Sequence, residues 1–245
     1  MSGEPYFLVD DVPPSGSFLL TGPEGRHAAT VRRLRAGESL VLTDGRGMRA
    51  AATVIETGRG ELTVEVGSAE QVPAPKVRVD LVQALPKGER GELAVELATE
   101  AGVDAVIPWA AQRCIAHWKT AEQRARGVEK WRNTAREAAK QSRRPYVPPV
   151  AELTSSATVV DLIGAATSTL ILHESATGSL AQARLPESGN VVIIVGPEGG
   201  LTEDELTMFR TAGAVAVRLG PQVLRTSTAG AVALGALGVL TGRWS

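Results

Sequence analysis

Cysteine and histidine are scarce in this sequence, and their scarcity limits the metal and redox chemistry that it supports. Cys114 is the single cysteine, so the 245 residues contain neither an intrachain disulfide nor a thiolate metal cluster. His27, His117 and His173 lie far apart in the sequence and lack the spacing of a zinc motif. We therefore expect no metal site.

Long apolar runs are also missing. The N-terminal segment MSGEPYFLVDDV is acidic and lacks the cationic start and apolar core of a signal peptide. The longest weakly polar run, from Ala229 to Leu240, is shorter than the ~20 residues that a membrane span requires. We expect a cytoplasmic protein without membrane contact. Its 43% hydrophobic and 22% charged residues suffice for the core of one large domain or of two smaller ones.

A large excess of one charge is absent as well, but the charges are unevenly distributed. The net charge is −1, yet residues 113–144 contain ten Lys and Arg residues against three Glu residues. This segment therefore carries +7, and the rest of the chain carries −8. Such a segment either faces a polyanion or forms a solvated helix face, and charge alone does not decide between the two. A smaller basic cluster consists of Arg32, Arg33 and Arg35.

Short β-branched or alternating runs fill the first 72 residues. Glycine turns separate them, which predicts a small barrel or sandwich with a short helical segment after its first strand. The segment 71–76 contains two prolines and is predicted to be a linker. The predicted strands are 17–22, 39–45, 48–58 and 61–67.

From residue 77 onward, strand and helix patterns alternate, which predicts an α/β domain with a largely parallel sheet. The predicted inward residues are Leu93, Leu97 and Ala101 on one helix, and Val128, Trp131, Ala135 and Ala138 on the next. The predicted strands are 77–85, 104–109, 168–174, 191–195 and 214–220, and the predicted helices are 88–103, 129–142, 203–212 and about 228–240.

The stretch VVIIVGPEGGLTEDEL, residues 191–206, carries the strongest local signal. Its β-branched start predicts a buried strand, and the following loop 196–200 has almost no side-chain bulk. Thr202 and Glu205 have the spacing of a capping box that starts a helix. A ligand could therefore lie directly against the backbone of this loop.

A second loop, Leu219 to Ala229, also follows an apolar strand and precedes a helix. We expect the two strands to be neighbours, so that their loops form one crevice at the carboxyl ends of the sheet. Neither loop has the Lys-Ser/Thr pair of a phosphate-binding loop, and Glu198 would repel a triphosphate. An uncharged or cationic ligand with a nucleoside part fits better. The alternative is that both loops are tight crossovers, and His173 remains a weak candidate for the crevice.

Together, GPEGGLTEDE and LGPQVLRTSTA resemble the signature of the RsmE family, the 16S rRNA (uracil-N3) methyltransferases of the SPOUT class. Segments similar to the family extend over essentially the full length. They include HAATVRRLRAGESLVLTDGRG, KGERGELAVELATEAGVDAVIPW, QRCIAHW and KWRNTAREAAKQSRRPYVPPV.

The resemblance implies a mixed α/β fold. Residues 1–72 would form a PUA-like RNA-binding β-barrel, and residues 73–245 a SPOUT methyltransferase domain with a trefoil knot at about residues 191–235. It also implies a homodimer that binds S-adenosylmethionine and methylates N3 of a uridine in the 16S rRNA of the small ribosomal subunit.

The expected cofactor contacts follow from the family motif, whereas the roles of Arg225 and Glu198 and the RNA contacts follow from the chemistry of the implied reaction and the positions of the basic residues. Arg225 would orient the base and stabilise its charge, and Glu198 would act as the base or lie beside the sulfonium. Ser227 stands where many members carry Glu, and Arg26-His27 where paired histidines are common, so neither Ser227 nor His27 is assigned a catalytic role. The expected cofactor contacts are Leu172, Val195, Gly196, Glu198, Gly199, Gly200, Leu219, Gly220, Leu224, Thr226, Thr228 and Ala229. The expected RNA contacts are Arg32, Arg33, Arg35, Arg136, Lys140, Gln141, Arg143 and Arg144.

Two other functions remain open at this point. One is a ribosome-assembly protein that binds RNA without doing chemistry. The other is a related SPOUT methyltransferase that acts on another RNA, such as a tRNA, or on a ribose hydroxyl.

Overall fold

The computed structural model describes residues 3–244, which divide into two compact units. The N-terminal unit comprises the described residues up to Ala74 together with Ala139–Val147. The α/β unit comprises Pro75–Ala138 and the described residues from Pro148 onward. The sequence patterns gave no reason to group segment 139–147 with the N-terminal residues.

Six strands form one sheet in the N-terminal unit. They run in the order β1-β3-β4-β5-β2, with β6 paired to β4, and every pair is antiparallel except β1 with β3. Among the described residues β1 and β2 are not paired with each other, so the sheet is not closed. The strands are β1 (Tyr6–Leu8), β2 (Gly16–Leu20), β3 (Ser39–Thr43), β4 (Met48–Thr57), β5 (Leu62–Val66) and β6 (Glu70–Gln71).

Alternation of apolar and polar residues explains the core of this unit. On β5, Leu62, Val64 and Val66 are buried, and the residues between them are more exposed. These side chains share one face because the side-chain period of a strand is two. After β2 the chain forms the short helix α1 (Gly22–Arg26) and a π-helical turn (His27–Val31).

The α/β unit contains a five-stranded sheet in the order β11-β9-β10-β7-β8, and all of its pairs are parallel. This confirms the predicted mixed α/β class. Helix α4 was not among the predicted elements. The strands are β7 (Val77–Ala84), β8 (Ala105–Trp109), β9 (Ser168–Leu172), β10 (Gly189–Val195) and β11 (Val215–Val217). The helices are α2 (Arg90–Glu100), α3 (Ala121–Gln141), α4 (Ser156–Ala165), α5 (Glu203–Thr211) and α6 (Thr226–Leu240).

The prediction that β10 and β11 are neighbours is wrong, because β9 lies between them. Leu170 of β9 is in register with Ile193 of β10 on one side and with Val215 of β11 on the other. β11 has only three residues, and Val215 is 57% exposed, as expected for the edge of a sheet. The loop 196–200 (the first glycine loop) and the loop Leu219 to Ala229 (the second glycine loop) therefore follow strands that are separated by β9.

The predicted inward face of α2 is also wrong, whereas that of α3 is confirmed. Leu93 is 42% exposed, and the buried residues of α2 are small ones such as Gly91, Ala94 and Ala98. Small residues allow α2 to pack closely against α6, so its interface does not follow its largest apolar side chains. On α3, the predicted inward residues Val128, Trp131, Ala135 and Ala138 are all buried.

None of the helices in the described chain is both long and apolar enough to span a membrane.

Candidate active site

A cavity of about 290 Å³ lies at the carboxyl ends of β9 and β10, beside the second glycine loop. The carboxyl ends of parallel strands lie at the same edge of a sheet. The two glycine loops can therefore border one cavity, and the end of β9 forms part of its wall. We call this cavity the crevice. Its lining residues are Arg90, Leu172, His173, Glu174, Val195, Gly196, Pro197, Glu198, Gly200, Leu201, Val223, Leu224, Arg225, Thr226 and Ala229.

A smaller space of about 70 Å³ adjoins the crevice and shares six residues with it, namely Leu172, His173, Glu174, Val223, Leu224 and Ala229. Its other walls include Arg218, Leu219, Gly220 and Gln222. The second glycine loop thus contributes to both spaces.

The first glycine loop has backbone geometry that only small residues tolerate. The N–H of Gly200 donates to the carbonyl of Pro197 (2.9 Å), which closes a tight turn, and Gly200 has φ +71°. A Cβ added at Gly196 would lie 2.5 Å from Cδ1 of Leu201. The dihedral angle at 200 therefore favours glycine, and a side chain at 196 would have to displace the side chain of Leu201.

Arg113 fixes this loop from a distant part of the chain. Its Nη1 donates to the carbonyl oxygens of Gly199 and Leu201, both at 3.2 Å. These two hydrogen bonds fix the backbone of the loop on the side that faces Arg113. Sequence reasoning assigned Arg113 no role beyond its charge, and only its place in the QRCIAHW segment pointed to it.

Glu205, in the first turn of α5, makes more hydrogen bonds than a capping box requires and anchors the first glycine loop. The capping box is present: the N–H of Glu205 donates to Thr202 Oγ1, and Glu205 Oε2 accepts from the N–H of Thr202 (both 3.1 Å). Its other oxygen, Oε1, accepts from the N–H of Gln112 (2.9 Å) and from Oγ of Ser156 (3.1 Å). Glu205 is completely buried. This carboxylate therefore joins the loop, α4 and the segment after β8.

A hydrogen bond joins the two glycine loops directly. Oγ1 of Thr226 donates to the carbonyl oxygen of Gly196 (3.2 Å). α6 begins at this point, where the carbonyl of Arg225 accepts from the N–H groups of Thr228 (2.9 Å) and Ala229 (3.0 Å). The start of α6 therefore sets the position of both loops around the crevice.

Glu198 and two arginines place opposite charges in the crevice wall. Glu198 Oε1 accepts from the N–H of Lys87 (3.1 Å) and lies 4.0 Å from Nη1 of Arg90, and its side chain is 26% exposed. Arg225 lines the same wall. The Glu198 carboxylate is thus held by one hydrogen bond, lies at ion-pair distance from Arg90, and still lines the cavity.

His173 lies at the end of β9 with one ring nitrogen already engaged. Its Nδ1 accepts from the N–H of Ser175 (3.2 Å), and its own backbone N–H donates to the carbonyl of Val217 (3.0 Å). A neutral imidazole with Nδ1 as acceptor carries its proton on Nε2. His173 can thus offer a donor to a ligand, whereas its proton-accepting nitrogen is occupied.

The crevice and the adjoining space bring together ten of the twelve residues expected to bind the cofactor, along with Arg225. Gly199 and Thr228 do not line either space. Gly199 instead lies against Arg113, and Oγ1 of Thr228 donates to the carbonyl of Arg225 (3.1 Å).

Of the eight residues expected to contact RNA, Lys140 is the one that is buried. Lys140 is 9% exposed, and its Nζ lies 2.8 Å from Oε1 of Glu24. A buried, paired ammonium is not presented to an RNA backbone, so the expectation for Lys140 does not fit the structure. The exposed members of the set are Arg32, Arg33, Arg35, Arg136, Gln141 and Arg143, and Arg144 is partly buried.

Two family models match this chain. The RNA methyltransferase domain matches residues 73–238, and the RNA methyltransferase PUA domain matches residues 20–67. A Mycobacterium bovis protein, ribosomal RNA small subunit methyltransferase E, is 50% identical, covering 97% of this chain and 92% of its own. The chain belongs to this family. A ribosomal RNA small subunit methyltransferase E from Bacillus subtilis is 29% identical, with 96% of each chain covered.

The fold of the ribosomal RNA small subunit methyltransferase E family is also seen in solved structures. A family member from Neisseria gonorrhoeae bound to S-adenosyl methionine has a TM-score of 0.86 at 28% identity, covering 97% of this chain and 98% of its own. A putative methyltransferase from Legionella pneumophila, in complex with the same cofactor, has a TM-score of 0.83 at 27% identity, with 97% of each chain covered. The architecture described above is therefore that of this methyltransferase family.

Proposed function

We propose that this chain uses S-adenosylmethionine to methylate N3 of a uridine in the 16S rRNA of the small ribosomal subunit. The observation that carries the proposal is the crevice. Two glycine loops, joined by the bond from Thr226 to Gly196, surround it in a chain that belongs to the ribosomal RNA small subunit methyltransferase E family. A ribosomal substrate also places the protein in the cytoplasm.

The residues of the crevice fit the cofactor chemically. Leu172, Val195 and Leu224 offer apolar surface to a flat adenine ring, and the bare backbone of the glycine loops offers hydrogen-bond partners to its edges. Glu198 supplies a carboxylate for a cationic group. The other residues proposed to hold the cofactor are Gly196, Gly199, Gly200, Leu219, Gly220, Thr226, Thr228 and Ala229.

The protein's part in the reaction is to orient the uracil and to manage one proton. The bound cofactor supplies a methyl group on a positively charged sulfur. Arg225 has a planar fork of donors that suits the uracil oxygens, so it would orient the base and stabilise the charge that develops as N3 loses its proton. Glu198 would accept the N3 proton. The hydrogen bond from the N–H of Lys87 and the ion pair with Arg90 hold the carboxylate in place for this role.

The finer fold features belong to the same proposal. Residues 1–72 would form the PUA-like RNA-binding domain, and residues 73–245 the SPOUT domain. A trefoil knot at about residues 191–235 would bring the two glycine loops together, which breaks the usual rule that chains do not thread loops.

RNA would be gripped by basic residues in each unit. Arg32, Arg33 and Arg35 in the N-terminal unit are exposed, as is Arg136 on α3. Contacts from arginine to phosphate add salt-dependent affinity without reading sequence. Gln141, Arg143 and Arg144 would lie closest to the substrate, and Lys140 is left out because Glu24 already pairs with it.

A homodimer is proposed as the assembled form. α6 carries an apolar stripe that its own unit does not cover, since Val232, Val239 and Leu240 are exposed at helical spacing. A second copy is the occupant proposed for this stripe. Sedimentation of the purified chain tests it: Val239→Glu should convert a dimer into a monomer, and an unchanged dimer would reject the stripe as the interface.

Isothermal titration calorimetry of the purified chain with S-adenosylmethionine tests the central part of the proposal. We expect a one-site isotherm in the wild type and a strong loss of affinity in Gly196→Val, because the added side chain collides with Leu201 and displaces the loop. A matched control is Gly164→Val on α4, because Gly164 is exposed, has no positive φ, and an added Cβ there meets nothing within 4 Å. Absence of cofactor heat in the wild type would instead indicate an RNA-binding protein without methyltransferase activity.

A further inference from the structure

A second cavity, of about 340 Å³, opens on the α/β unit and shares no residue with the crevice. We call it the tryptophan cavity. It lies where the first turns of α2, the N-terminal half of α3 and the segment after β8 meet. Its lining residues are Leu85, Pro86, Gly88, Gly91, Glu92, Ala116, His117, Trp118, Gln123, Arg126, Gly127, Lys130 and Trp131.

Two indole rings form the aromatic wall of this cavity. The rings of Trp118 and Trp131 meet edge to face, with centroids 5.5 Å apart and an interplanar angle of 77°. Trp131 is buried, whereas Trp118 is only partly buried. Gly91 and Gly127 lie under the two rings, and a Cβ at either position would collide with an indole. The glycines therefore let both rings rest on helix backbone, and part of Trp118 stays accessible.

The polar groups at this cavity are mostly donors. Arg126 is exposed and makes no ion pair with any residue in 3–244. Oε1 of Gln123 accepts from the N–H groups of Lys119 (2.8 Å) and Thr120 (3.3 Å), which leaves its amide nitrogen to donate elsewhere. Lys130 lies 3.4 Å from Glu92. The indole rings can stack on a flat ring, and the donors can bind its acceptor atoms and an attached anion. A nucleotide has both features, a base and a phosphate.

The segment between β7 and α2, together with the first turn of α2, contacts both the tryptophan cavity and the crevice. The N–H of Lys87 in this segment donates to Glu198, and Arg90 lines the crevice. Gly88 of this segment and Gly91 in the first turn of α2 line the tryptophan cavity. A chain of nucleotides that places one base in the crevice would therefore pass close to the other cavity.

We propose that the tryptophan cavity binds an rRNA base that neighbours the target uridine. The inference rests on the function proposed above. The base stacks on the accessible face of Trp118, and Arg126 contacts the adjoining phosphate. Single-stranded RNA is recognised in this way, by bases that leave their stack and lie on aromatic side chains. The cavity would then hold the RNA strand on one side of the target and favour the flipped position of the uridine.

Steady-state methylation tests this proposal, with small ribosomal subunits from a strain that lacks the enzyme as the substrate. Loss of the stacking ring in Trp118→Leu should raise KM for the subunits about five- to a hundredfold. Trp118→Phe keeps an aromatic ring and should recover most of the affinity. Affinity for S-adenosylmethionine, measured by calorimetry, should stay within about twofold of the wild type in both variants, because neither touches the crevice.

Two variants that each remove one positive charge test the proposal even if Trp118→Leu does not fold. Arg126→Gln should raise KM for the subunits, whereas Arg210→Gln, which removes an exposed charge on α5, should leave it unchanged. Wild-type KM in Arg126→Gln, or in a folded Trp118→Leu, would overturn the proposal for this cavity. Absence of methyl transfer by the wild type would overturn the proposed function instead, so the two failures are distinguishable.

Discussion

Glu205 is the buried group whose replacement should reveal most about how the active-site loop is held. Each of its carboxylate oxygens accepts one backbone N–H, that of Gln112 at Oε1 and that of Thr202 at Oε2. Glu205→Gln keeps the shape but replaces one oxygen with an NH₂ group. In either orientation of the amide, this NH₂ group faces a backbone N–H that cannot turn away. One buried donor is then left without an acceptor.

The size of the effect follows from these contacts. A buried donor without a partner costs about 1–3 kcal/mol, and the remaining bonds lose the extra strength that a charged acceptor gives. Removal of the charge also relieves the cost of burying an ion, which acts in the opposite direction. Four donors already surround the carboxylate, so we expect the losses to dominate. The free energy of unfolding should fall by about 2–4 kcal/mol.

Urea unfolding followed by tryptophan fluorescence suits this measurement, because all four tryptophans belong to the α/β unit. Glu203→Gln is the matched control. It removes an exposed carboxylate from the first turn of the same helix and should cost less than about 1 kcal/mol through the helix dipole. If Glu205→Gln is no less stable than Glu203→Gln, the four-donor network does not hold the loop and the reasoning fails.

Three further predictions concern Glu198, Asp80 and Cys114. Glu198→Gln should lower kcat and change its pH profile, and a wild-type profile would exclude the carboxylate from proton transfer. Burial raises the pKa of Asp80 against the opposing hydrogen bond from Asn190, so the wild type should lose unfolding free energy as the pH rises through this pKa. Asp80→Asn lacks this titration, so its stability relative to the wild type should increase between pH 4 and pH 7, and a constant or decreasing difference would contradict the shift. Burial also raises the pKa of the Cys114 thiol, so iodoacetamide should label the native protein slowly at pH 8 and the urea-unfolded protein rapidly, and fast native labelling would refute this.

Features that depend on a few neighbouring residues were predictable from the sequence. The β-branched run 191–195 forms a buried strand, and the three-residue spacing of Thr202 and Glu205 gives the capping box that starts α5. Both follow from interactions within one turn or one strand. The mixed α/β class followed in turn from the alternation of such elements.

Features that depend on pairing between distant segments were not predictable in this way. Nothing local to β10 or β11 indicates that β9 lies between them. The bond from Arg113 to Gly199 spans 86 residues, and the pair of Lys140 with Glu24 spans 116. Patterns of charge and hydrophobicity describe one segment at a time, so they could not show which partner a distant side chain meets.

Primer extension on rRNA tests the central claim most directly. Methylation at N3 blocks the Watson–Crick edge of a uridine, so reverse transcriptase should stop at one uridine of the 16S rRNA when the chain is present. In a deletion strain the stop should disappear, and it should return when the wild-type chain, but not Gly196→Val, is supplied. A stop that persists in the deletion strain, or one that never forms, would contradict the proposed methylation of this rRNA.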